Sequence, residues 1–353
     1  MSQQSNRGKL IEAYLEKHLT DLNREENPLG VKTLARMFLR DHAELFDYNE
    51  TEIDNVRSTM RTYLGRHGKK EVRQRFTIRD RDTGETQPSM PESHARVQEP
   101  FILPAGKWGV MADIHVPYHN PHAIALACKH FQEQGVTGIL INGDLIDFWK
   151  ISRFIGQGQK PDTAEEIRAA RQFLQWLRYQ FPDMPIIYKL GNHCKRWVDY
   201  IWFKGAELAK VMEEEWGPSL GLAHFLRCEQ LGVKMVADNQ IIYAGGLTII
   251  HGHEWGKGAF NPVNPARGSF IRGKASILSA HNHQTSTHTE STIRKKIMGC
   301  WSMGCLCELE PAYMPLAYLR WNLGATIVTL EDDGDFQVDN FMILPDGDGY
   351  RIA

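Results

Sequence analysis

The stretch Asn142-Gly143-Asp144-Leu145-Ile146-Asp147 decides the fold, because it places a carboxylate just past the end of the apolar run 138–141. Such a run predicts a buried strand, so Asp144 is expected on the turn that leaves it. We interpret Asp144 as a ligand shared by two metal ions, since its two oxygens can each face one cation. Gly143 would let the backbone approach the ions closely. A Gly-Asp pair is also common in ordinary turns, so the rest of the chain must decide between these interpretations.

Strand and helix patterns alternate on both sides of this stretch from Lys107 onward. The capping-box pattern Thr163-x-x-Glu166 predicts a helix start, and Pro182 marks the end of that helix. The predicted strands are 108–111, 136–141, 186–190, 241–243, 247–250 and 277–279, with a C-terminal hairpin of 326–330 and 336–343, and the other predicted helices are 123–131 and 197–216. The alternation predicts an α/β domain.

Polar residues recur just after these predicted strands. They are Asp113-Ile114-His115, Asp144, Asn192-His193, His251 and His281-Asn282-His283. In open α/β sheets the loops at strand ends meet in one crevice, so these groups can converge although they are far apart in sequence. A single Asp-x-His or a lone His has an ordinary explanation as a capping or core residue, but five such sites at five strand ends favour one functional site.

In this order the motifs Asp-x-His, Gly-Asp-x-x-Asp, Gly-Asn-His, His and His-x-His resemble the calcineurin-like metallophosphoesterase superfamily over residues 107 to 343. The resemblance implies a four-layer α/β/β/α sandwich, an α/β (α+β) fold, for residues 106–353. It also implies two divalent metal ions that activate a bridging hydroxide for attack on a phosphate ester. The predicted ligands are Asp113, His115 and His283 for the first ion, Asp144 as the bridge, and Asn192, His251 and His281 for the second. Mixed nitrogen and oxygen ligands suit Mn²⁺, the favoured ion, with Zn²⁺, Fe²⁺ and Ni²⁺ as alternatives.

The resemblance implies further roles for residues beside these ligands. His193 would stabilise the charge of the transition state or protonate the leaving oxygen, and Asp147 would orient His193. Arg196 would contact phosphate. His253 forms a second His-x-His with His251; we assign His251 as the ligand because it follows the apolar residues 248–250, and His253 as a pocket residue that touches substrate.

Two positions depart from the family pattern. Cys194 replaces the acidic residue after Gly-Asn-His, and Ala280 replaces the Gly before His-x-His. The first departure argues against the Ser/Thr protein phosphatase branch. Gly143-Asp144-Leu145-Ile146-Asp147 looks more like the nuclease and phosphodiesterase branches. We interpret Cys194 as a buried neutral thiol rather than a nucleophile. Three further cysteines (Cys300, Cys305 and Cys307) lie in an apolar segment, where strand core is favoured over a third metal site.

The N-terminal residues 1–81 read as a separate helical module, followed by a linker over residues 82–105 that is rich in Gly, Pro, Ser, Glu and Gln. Helical spacing of apolar residues predicts three short helices, the third starting at Asn49-x-x-Glu52. Nine basic residues against two acidic ones occupy positions 57–81, and the module weakly resembles a helix-turn-helix or winged-helix unit. It is therefore a DNA- or RNA-binding module or, equally, a solvated docking bundle.

The composition limits the class of protein. The chain has 353 residues, 42% of them hydrophobic and 24% charged, with a net charge of −2, which describes a globular protein without a general attraction for nucleic acid or membrane. Its six cysteines show no secretory spacing, and no apolar run is long enough to cross a bilayer, so we expect a cytoplasmic protein.

The favoured function is hydrolysis of phosphodiesters in nucleic acid or nucleotides. The alternatives are a phosphomonoesterase acting on nucleotides or proteins, and a catalytically silent nucleic-acid-binding protein.

Overall fold

The computed structural model describes residues 3–22, 29–64, 77–79, 86–88, 93, 99–152, 162–255, 263–310 and 319–353. The chain divides into two compact units, Met1–Arg96 and Val97–Ala353. The segment 82–105 that was predicted as a linker contributes a short strand to each unit, at Thr86–Pro88 and at Phe101–Ile102, and most of the rest of it lies outside the described residues. No helix among the described residues is long and apolar enough to span a membrane.

The first unit contains short helices and a two-stranded antiparallel sheet. The elements are α1 (Gln3–Lys17), α2 (Leu19–Leu22), α3 (Val31–Asp41), α4 (Glu50–Tyr63), β1 (Thr77–Arg79) and β2 (Thr86–Pro88). Its apolar core includes Ile11, Phe38 and Val56 from α1, α3 and α4. The predicted start of the last helix is confirmed, because the Asn49 side chain accepts a hydrogen bond from the backbone N–H of Glu52 at 2.8 Å.

The basic stretch 57–81 is only partly described. Arg57 and Arg61 lie on α4, and Arg79 lies on β1. The remaining basic residues (Arg66, Lys69, Lys70, Arg73, Arg75 and Arg81) lie outside the described residues.

The second unit is built from two sheets and the helices between their strands. Its helices are α5 (Pro121–Glu133), α6 (Thr163–Gln180), α7 (Asn192–Lys204), α8 (Ala206–Trp216), α9 (Leu222–Phe225) and α10 (Pro265–Gly273). Its strands are β3 (Phe101–Ile102), β4 (Gly106–Met111), β5 (Gly138–Asn142), β6 (Ile186–Lys189), β7 (Val233–Val236), β8 (Ile242–Ala244), β9 (Leu247–Ile249), β10 (Ser276–Ser279), β11 (Ser286–Ser291), β12 (Ile297–Ser302), β13 (Leu323–Leu330), β14 (Phe336–Asp346) and β15 (Gly349–Ile352).

Within each of the two sheets, several parallel strands are neighbours. The seven-stranded sheet has the order β15-β14-β13-β4-β5-β6-β7, in which β4 to β7 are parallel. The six-stranded sheet has the order β11-β12-β10-β9-β8-β3, in which β9, β10 and β12 are parallel. Parallel neighbours end at the same edge of a sheet, so the loops after β4, β5 and β6 meet at one edge and those after β9 and β10 at another.

Three apolar clusters define four layers. One cluster joins the two sheets face to face and includes Val110 and Leu140 from one sheet and Ile249 and Leu278 from the other. A second cluster packs α5 and α6 on the outer face of the seven-stranded sheet. A third packs Phe270 of α10 on the outer face of the six-stranded sheet. The predicted α/β/β/α sandwich is confirmed.

Two predicted helices differ from the structure. The helix predicted over 197–216 begins at Asn192 and is interrupted at Gly205, a residue with low helix propensity. The prediction of a capping box at Thr163 and Glu166 is wrong by one residue, because Asp162 and Glu165 form it. Glu166 is instead buried, and its Oε1 accepts a hydrogen bond from the backbone N–H of Trp149 at 3.0 Å.

Candidate metal centre

The residues that follow five strands converge at one place. Asp113, Asp144 and Asn192 follow β4, β5 and β6 in one sheet, and His251 and His281 follow β9 and β10 in the other. Nε2 of His251 lies 3.8 Å from Oδ1 of Asp113 and 3.1 Å from Oδ2 of Asp144. The two sheets therefore contribute to the same cluster.

The backbone around this cluster is unusual for residues that carry side chains. Five of the seven predicted ligands have φ between 47° and 69°, in the left-handed region; they are Asp113, His115, Asp144, His281 and His283. This conformation costs about 1 to 3 kcal/mol for each such residue and persists where the surrounding structure enforces it, often at functional sites. Gly143, with φ of 95°, also has no room for a side chain, because a Cβ there would overlap Nδ1 of His251.

The ligands predicted for the first ion lie together. Oδ1 of Asp113, Nε2 of His115 and Nε2 of His283 belong to a buried set of donor atoms that lie within 4.8 Å of one another. Nε2 of His283 is 3.2 Å from both Oδ1 of Asp113 and Nε2 of His115. Oδ1 of Asp113 has no hydrogen-bond partner among the described residues, although it is fully buried.

The ligands predicted for the second ion form an adjoining set. Donor atoms of Asp144, His251 and His281 also lie within 4.8 Å of one another, and His281 is the exposed member of the three. Oδ1 of Asn192 lies 3.2 Å from Nε2 of His251. Asp144 also belongs to a further set with His115 and His193, so it lies between the first and second groups of ligands.

Each of two histidines has one ring nitrogen occupied by the protein, which leaves the other directed at the cluster. His115 donates from Nδ1 to Oδ1 of Asp147 at 2.9 Å. His251 donates from Nδ1 to the carbonyl oxygen of Asn142 at 2.8 Å. Hydrogen bonds of this kind fix the orientation of metal-binding histidines and leave a lone pair on Nε2 for the ion.

The charges in the cluster also fit cations. Burial alone would raise the pKa of Asp113, but the neighbouring His283 and His115 rings hold it well below its usual range. Burial lowers the pKa of His115, but the Asp113 and Asp147 carboxylates raise it to about 9, so an ion that binds at Nε2 would displace a proton from this ring. The buried carboxylates are thus ionised and attract positive charge to this position. Two groups of nitrogen and oxygen donors with a shared carboxylate fit two borderline divalent ions.

His193 lies beside the cluster in the first turn of α7. Its backbone N–H donates to Oδ1 of Asp144 at 2.9 Å, and Nε2 is 3.8 Å from Oδ2 of Asp144. Arg196 donates from Nη2 to Nε2 of His193 at 2.8 Å, so the ring proton is on Nδ1, which faces the carbonyl oxygen of Asp147 at 2.8 Å. Burial lowers the pKa of His193. Nε2 of His193 therefore carries a lone pair and lies close to the Asp144 carboxylate.

Asp147 contacts two histidines, of which the sequence indicated one. Its Oδ1 lies 3.1 Å from Nδ1 of His193, as expected for a residue that orients this histidine. The same oxygen also accepts the hydrogen bond from His115 described above. Asp147 therefore positions a predicted metal ligand and a predicted catalytic residue together.

A buried ion pair supports the His251 loop and was missed from the sequence. Nζ of Lys189 lies 2.9 Å from Oε1 of Glu254, and the Lys189 side chain is 0% exposed. The Glu254 carboxylate accepts hydrogen bonds from the backbone N–H groups of His251 and Gly252. Although burial opposes its ionisation, Lys189 and these bonds lower the pKa of Glu254 to about 2. The only available signal was that Lys189 is a charged residue at the end of an apolar strand.

The remaining predicted residues surround the cluster. The donor sets of the described residues include His251 but not His253, whose ring centroid lies 5.4 Å from that of His251. Cys194 is fully buried and its Sγ lies 2.7 Å from Oη of Tyr188. Burial and the charge of Asp144 raise the pKa of the Cys194 thiol to about 12, which is the behaviour of a neutral core thiol.

Two of the three cysteines near the C-terminus border the cluster. Cys300 lies in β12, whereas Cys305 and Cys307 follow that strand. Sγ of Cys307 lies 3.9 Å from Nδ1 of His283, the ring nitrogen opposite the one that faces Asp113. Cys305, Cys307 and His283 form a buried donor set of their own, which places thiols behind a predicted ligand of the first ion.

Comparison with known proteins finds similarity at the level of structure. No family model and no curated protein sequence matches this chain. Vps29 from Chaetomium thermophilum aligns over 70% of this chain and 92% of its own, with 9% identity and a TM-score of 0.34. A putative diadenosine tetraphosphatase aligns over 69% and 98%, with 13% identity and a TM-score of 0.30. Yfce, a phosphoesterase from E. coli, aligns over 66% and 98%, with 12% identity and a TM-score of 0.29.

Because these identities and TM-scores are low, the assignment of the fold rests on the two sheets, their helices and the cluster at the strand ends. The second unit has the four-layer fold that the motifs predicted, which is the fold of the calcineurin-like metallophosphoesterases.

Proposed function

We propose that this chain is a dinuclear-metal-dependent phosphoesterase that hydrolyses phosphodiester bonds, with nucleic acid or nucleotides as its substrates. The observation that supports this proposal most strongly is the position of Asp144 between two groups of buried donors, one with Asp113, His115 and His283 and the other with His251 and His281. A structural core has no need for so many buried carboxylates and imidazoles in contact, since each is costly to bury without a partner. Mn²⁺ is the favoured ion.

The ions and the protein would divide the chemistry between them. When bound, two divalent ions supply a nucleophile near neutral pH and positive charge for the phosphoryl oxygens. Asp144 would neutralise part of the charge of both ions, while Asp113 and the histidines would hold them in place. His115 and His251 are fixed for this role by Asp147 and by the Asn142 carbonyl.

His193 and Arg196 would act on the ester itself. Nε2 of His193 and the Arg196 guanidinium lie 2.8 Å apart at the border of the cluster. On arrival of a phosphate, Arg196 can turn its donors to the phosphate oxygens, which releases Nε2 of His193. After taking up a proton from solvent at Nε2, His193 would then stabilise the charge that develops on the transferred group or pass that proton to the leaving oxygen.

A phosphodiester is favoured over a phosphomonoester by the residues around the shared carboxylate. Gly143-Asp144-Leu145-Ile146-Asp147 is similar to the pattern of the nuclease and phosphodiesterase branches. Cys194, which replaces the acidic residue that protein phosphatases carry there, is buried against Tyr188. A phosphomonoesterase would use the same ligands, so activity has to separate the two.

Assay of the full-length protein with added Mn²⁺ tests this proposal. We expect faster hydrolysis of bis-p-nitrophenyl phosphate than of p-nitrophenyl phosphate, and loss of both activities with EDTA. Asp183→Asn, at an exposed carboxylate outside the cluster, should retain activity and serves as the matched control for Asp144→Asn. Preference for the monoester would favour the alternative phosphatase function. Binding of two ions without hydrolysis of either ester would favour a catalytically silent protein.

We further propose that the first unit binds DNA or RNA and so brings the enzyme to its substrate. The basic stretch 57–81 begins on a helix and reaches a strand of the two-stranded sheet. Arg57 and Arg61 lie on α4, and Arg79 lies on β1. Mutation of Arg57 and Arg61 to Gln should weaken binding to an oligonucleotide and reduce its salt dependence, without changing hydrolysis of the small diester. If the variants bind the oligonucleotide with the same salt dependence as the wild type, a docking role for this unit would be favoured. A cytoplasmic location remains a prediction.

A further inference from the structure

A groove runs along α7 away from the metal centre. It has a volume of about 820 Å³, and its lining includes Asn192, a predicted ligand of the second ion, together with Lys195, Arg196, Tyr200 and Phe203. Positions 192, 196, 199, 200 and 203 share one face of a helix, because they follow its repeat of three and four residues. From Asn192 to Phe203 the helix rises about 16 Å.

The groove is rich in cations. Four of its lining residues are basic (Lys150, Lys195, Arg196 and Lys204), and one is acidic, Asp199. Lys195 is paired with Asp199 at 2.7 Å. Among the described residues, no carboxylate lies within 4.0 Å of the Lys150 or Lys204 side-chain nitrogen. The surface therefore has positive charge available for an anionic ligand.

The groove also carries aromatic rings in contact with water. Phe203 is 80% exposed and Tyr200 is 37% exposed. Nζ of Lys204 lies 5.4 Å from the ring centroid of Phe203 and 5.9 Å from that of Tyr200. An exposed phenylalanine alone needs no explanation. Next to cations and at the end of a groove that starts at a metal ligand, it provides a stacking surface beside a phosphate-binding one.

We propose that this groove binds single-stranded nucleic acid and leads it to the metal centre. A surface about 16 Å long is more than a single phosphate ester needs, so it fits a polymer. Lysine and arginine would neutralise successive backbone phosphates, and bases would stack on Phe203 and Tyr200. An unpaired strand is required because a duplex keeps its base faces within its own stack. This inference names the substrate class of the proposed enzyme and so rests on the proposed function.

Binding measured with EDTA separates the groove from catalysis. We would measure fluorescence anisotropy of labelled oligothymidylate and of its duplex with the full-length protein, for Phe203→Ala and Lys204→Gln. Phe203→Ala should weaken single-strand binding about tenfold. Lys204→Gln should make the slope of log Kobs against log salt less steep by about 0.7. The matched controls are Tyr179→Ala, on an 82% exposed tyrosine of α6, and Lys210→Gln on α8, and both should bind like the wild type.

Photo-crosslinking of the full-length protein shows which unit contacts the strand, because the first unit is also proposed to bind nucleic acid. An oligonucleotide with 5-bromouracil, irradiated with the full-length protein, should give adducts on peptides of α7 that are lost in Phe203→Ala. Adducts confined to residues 1–96, equal affinity of wild type and Phe203→Ala, or full displacement by inorganic polyphosphate with no effect of Phe203→Ala would each overturn the proposal.

Hydrolysis of bis-p-nitrophenyl phosphate distinguishes the two proposals. Phe203→Ala and Lys204→Gln should hydrolyse this small ester at the wild-type rate, since neither residue belongs to the metal centre. If the wild type binds the oligonucleotide through α7 but hydrolyses no ester, the proposed function fails and the groove stands. If it hydrolyses the ester and the α7 variants bind the oligonucleotide unchanged, the groove fails and the proposed function stands.

Discussion

Oδ1 of Asp147 accepts a hydrogen bond from Nδ1 of His115 at 2.9 Å, so Asp147 fixes the ring of a residue that we propose as a ligand of the first ion. Hydrogen-bond partners of metal-binding histidines commonly contribute 10- to 100-fold to metal affinity or activity. We therefore expect Asp147→Asn to raise the Kd for Mn²⁺ by about that factor and to lower kcat, since His193 loses the same partner. Isothermal titration of the metal-free protein measures the first effect. Unchanged Mn²⁺ affinity would show that Asp147 serves His193 alone.

Asp144→Asn should affect both ions, because Asp144 lies between the two groups of ligands. Replacing its negative charge with an amide removes part of the neutralisation of two cations at once. We expect fewer than two Mn²⁺ ions per chain by elemental analysis and loss of most esterase activity. Two ions per chain at full activity would show that Asp144 is not shared.

His193→Ala should separate chemistry from metal binding. General acid or electrostatic assistance is worth about 10² to 10⁴ in rate, so kcat should fall by such a factor while two ions remain bound. The loss should be smaller for esters with good leaving groups, which need less protonation. Because His193 also shares a donor set with His115 and Asp144, metal analysis is essential. Loss of an ion from the variant would identify His193 as a ligand.

The effect of substitutions at Cys194 should depend on the burial of this side chain. Cys194→Ser retains a small hydrogen-bonding side chain beside Tyr188 and should keep both ions and its activity. Cys194→Asp introduces the acidic residue of the calcineurin-like pattern and places a carboxyl group where the side chain is fully buried. It should lower the free energy of unfolding by about 3 kcal/mol. Inactivity of Cys194→Ser with both ions bound would instead support a covalent role for the thiol.

The Lys189–Glu254 pair predicts a pH-dependent contribution to stability. The folded-state pKa of Glu254, about 2, lies below its ordinary value of 4.5, so the pair stabilises the fold fully above pH 4.5 and loses this contribution as the pH falls towards 2. Glu254→Gln leaves Lys189 buried without an opposite charge and should cost about 3 kcal/mol at neutral pH. Urea unfolding should show the difference from wild type shrinking below pH 4.5. A constant difference would exclude the ion pair as its cause.

Residues at strand ends could be predicted from sequence because the rule that places them is local. A short apolar run with a carboxylate or histidine within three residues of its end identifies Asp113, Asp144 and His251, and parallel strands then bring the ends together. The start of α7 was missed because its first residue follows Gly191, which provides no side-chain cap, and Asn192-His193 therefore resembled a loop.

Contacts between distant segments could not be predicted in this way. Asp147 and His115 are 32 residues apart, and Cys307 and His283 are 24 apart, so their proximity depends on how the loops pack. The left-handed conformations of Asp113 and His283 likewise arise from tertiary structure, since neither residue type favours them over the alternatives. The groove on α7 has a helical repeat in the sequence, but only the structure shows that this face adjoins Asn192.

Anomalous X-ray scattering from crystals grown with Mn²⁺ would show whether two ions share Asp144. We predict two peaks about 4 Å apart. One should contact Asp113, His115 and His283, the other Asn192, His251 and His281, with Asp144 in contact with both. A single peak would show that Asp144 is not shared by two ions. A peak held by Cys305, Cys307 and His283 in place of either predicted ion would show that the ligand assignment is wrong.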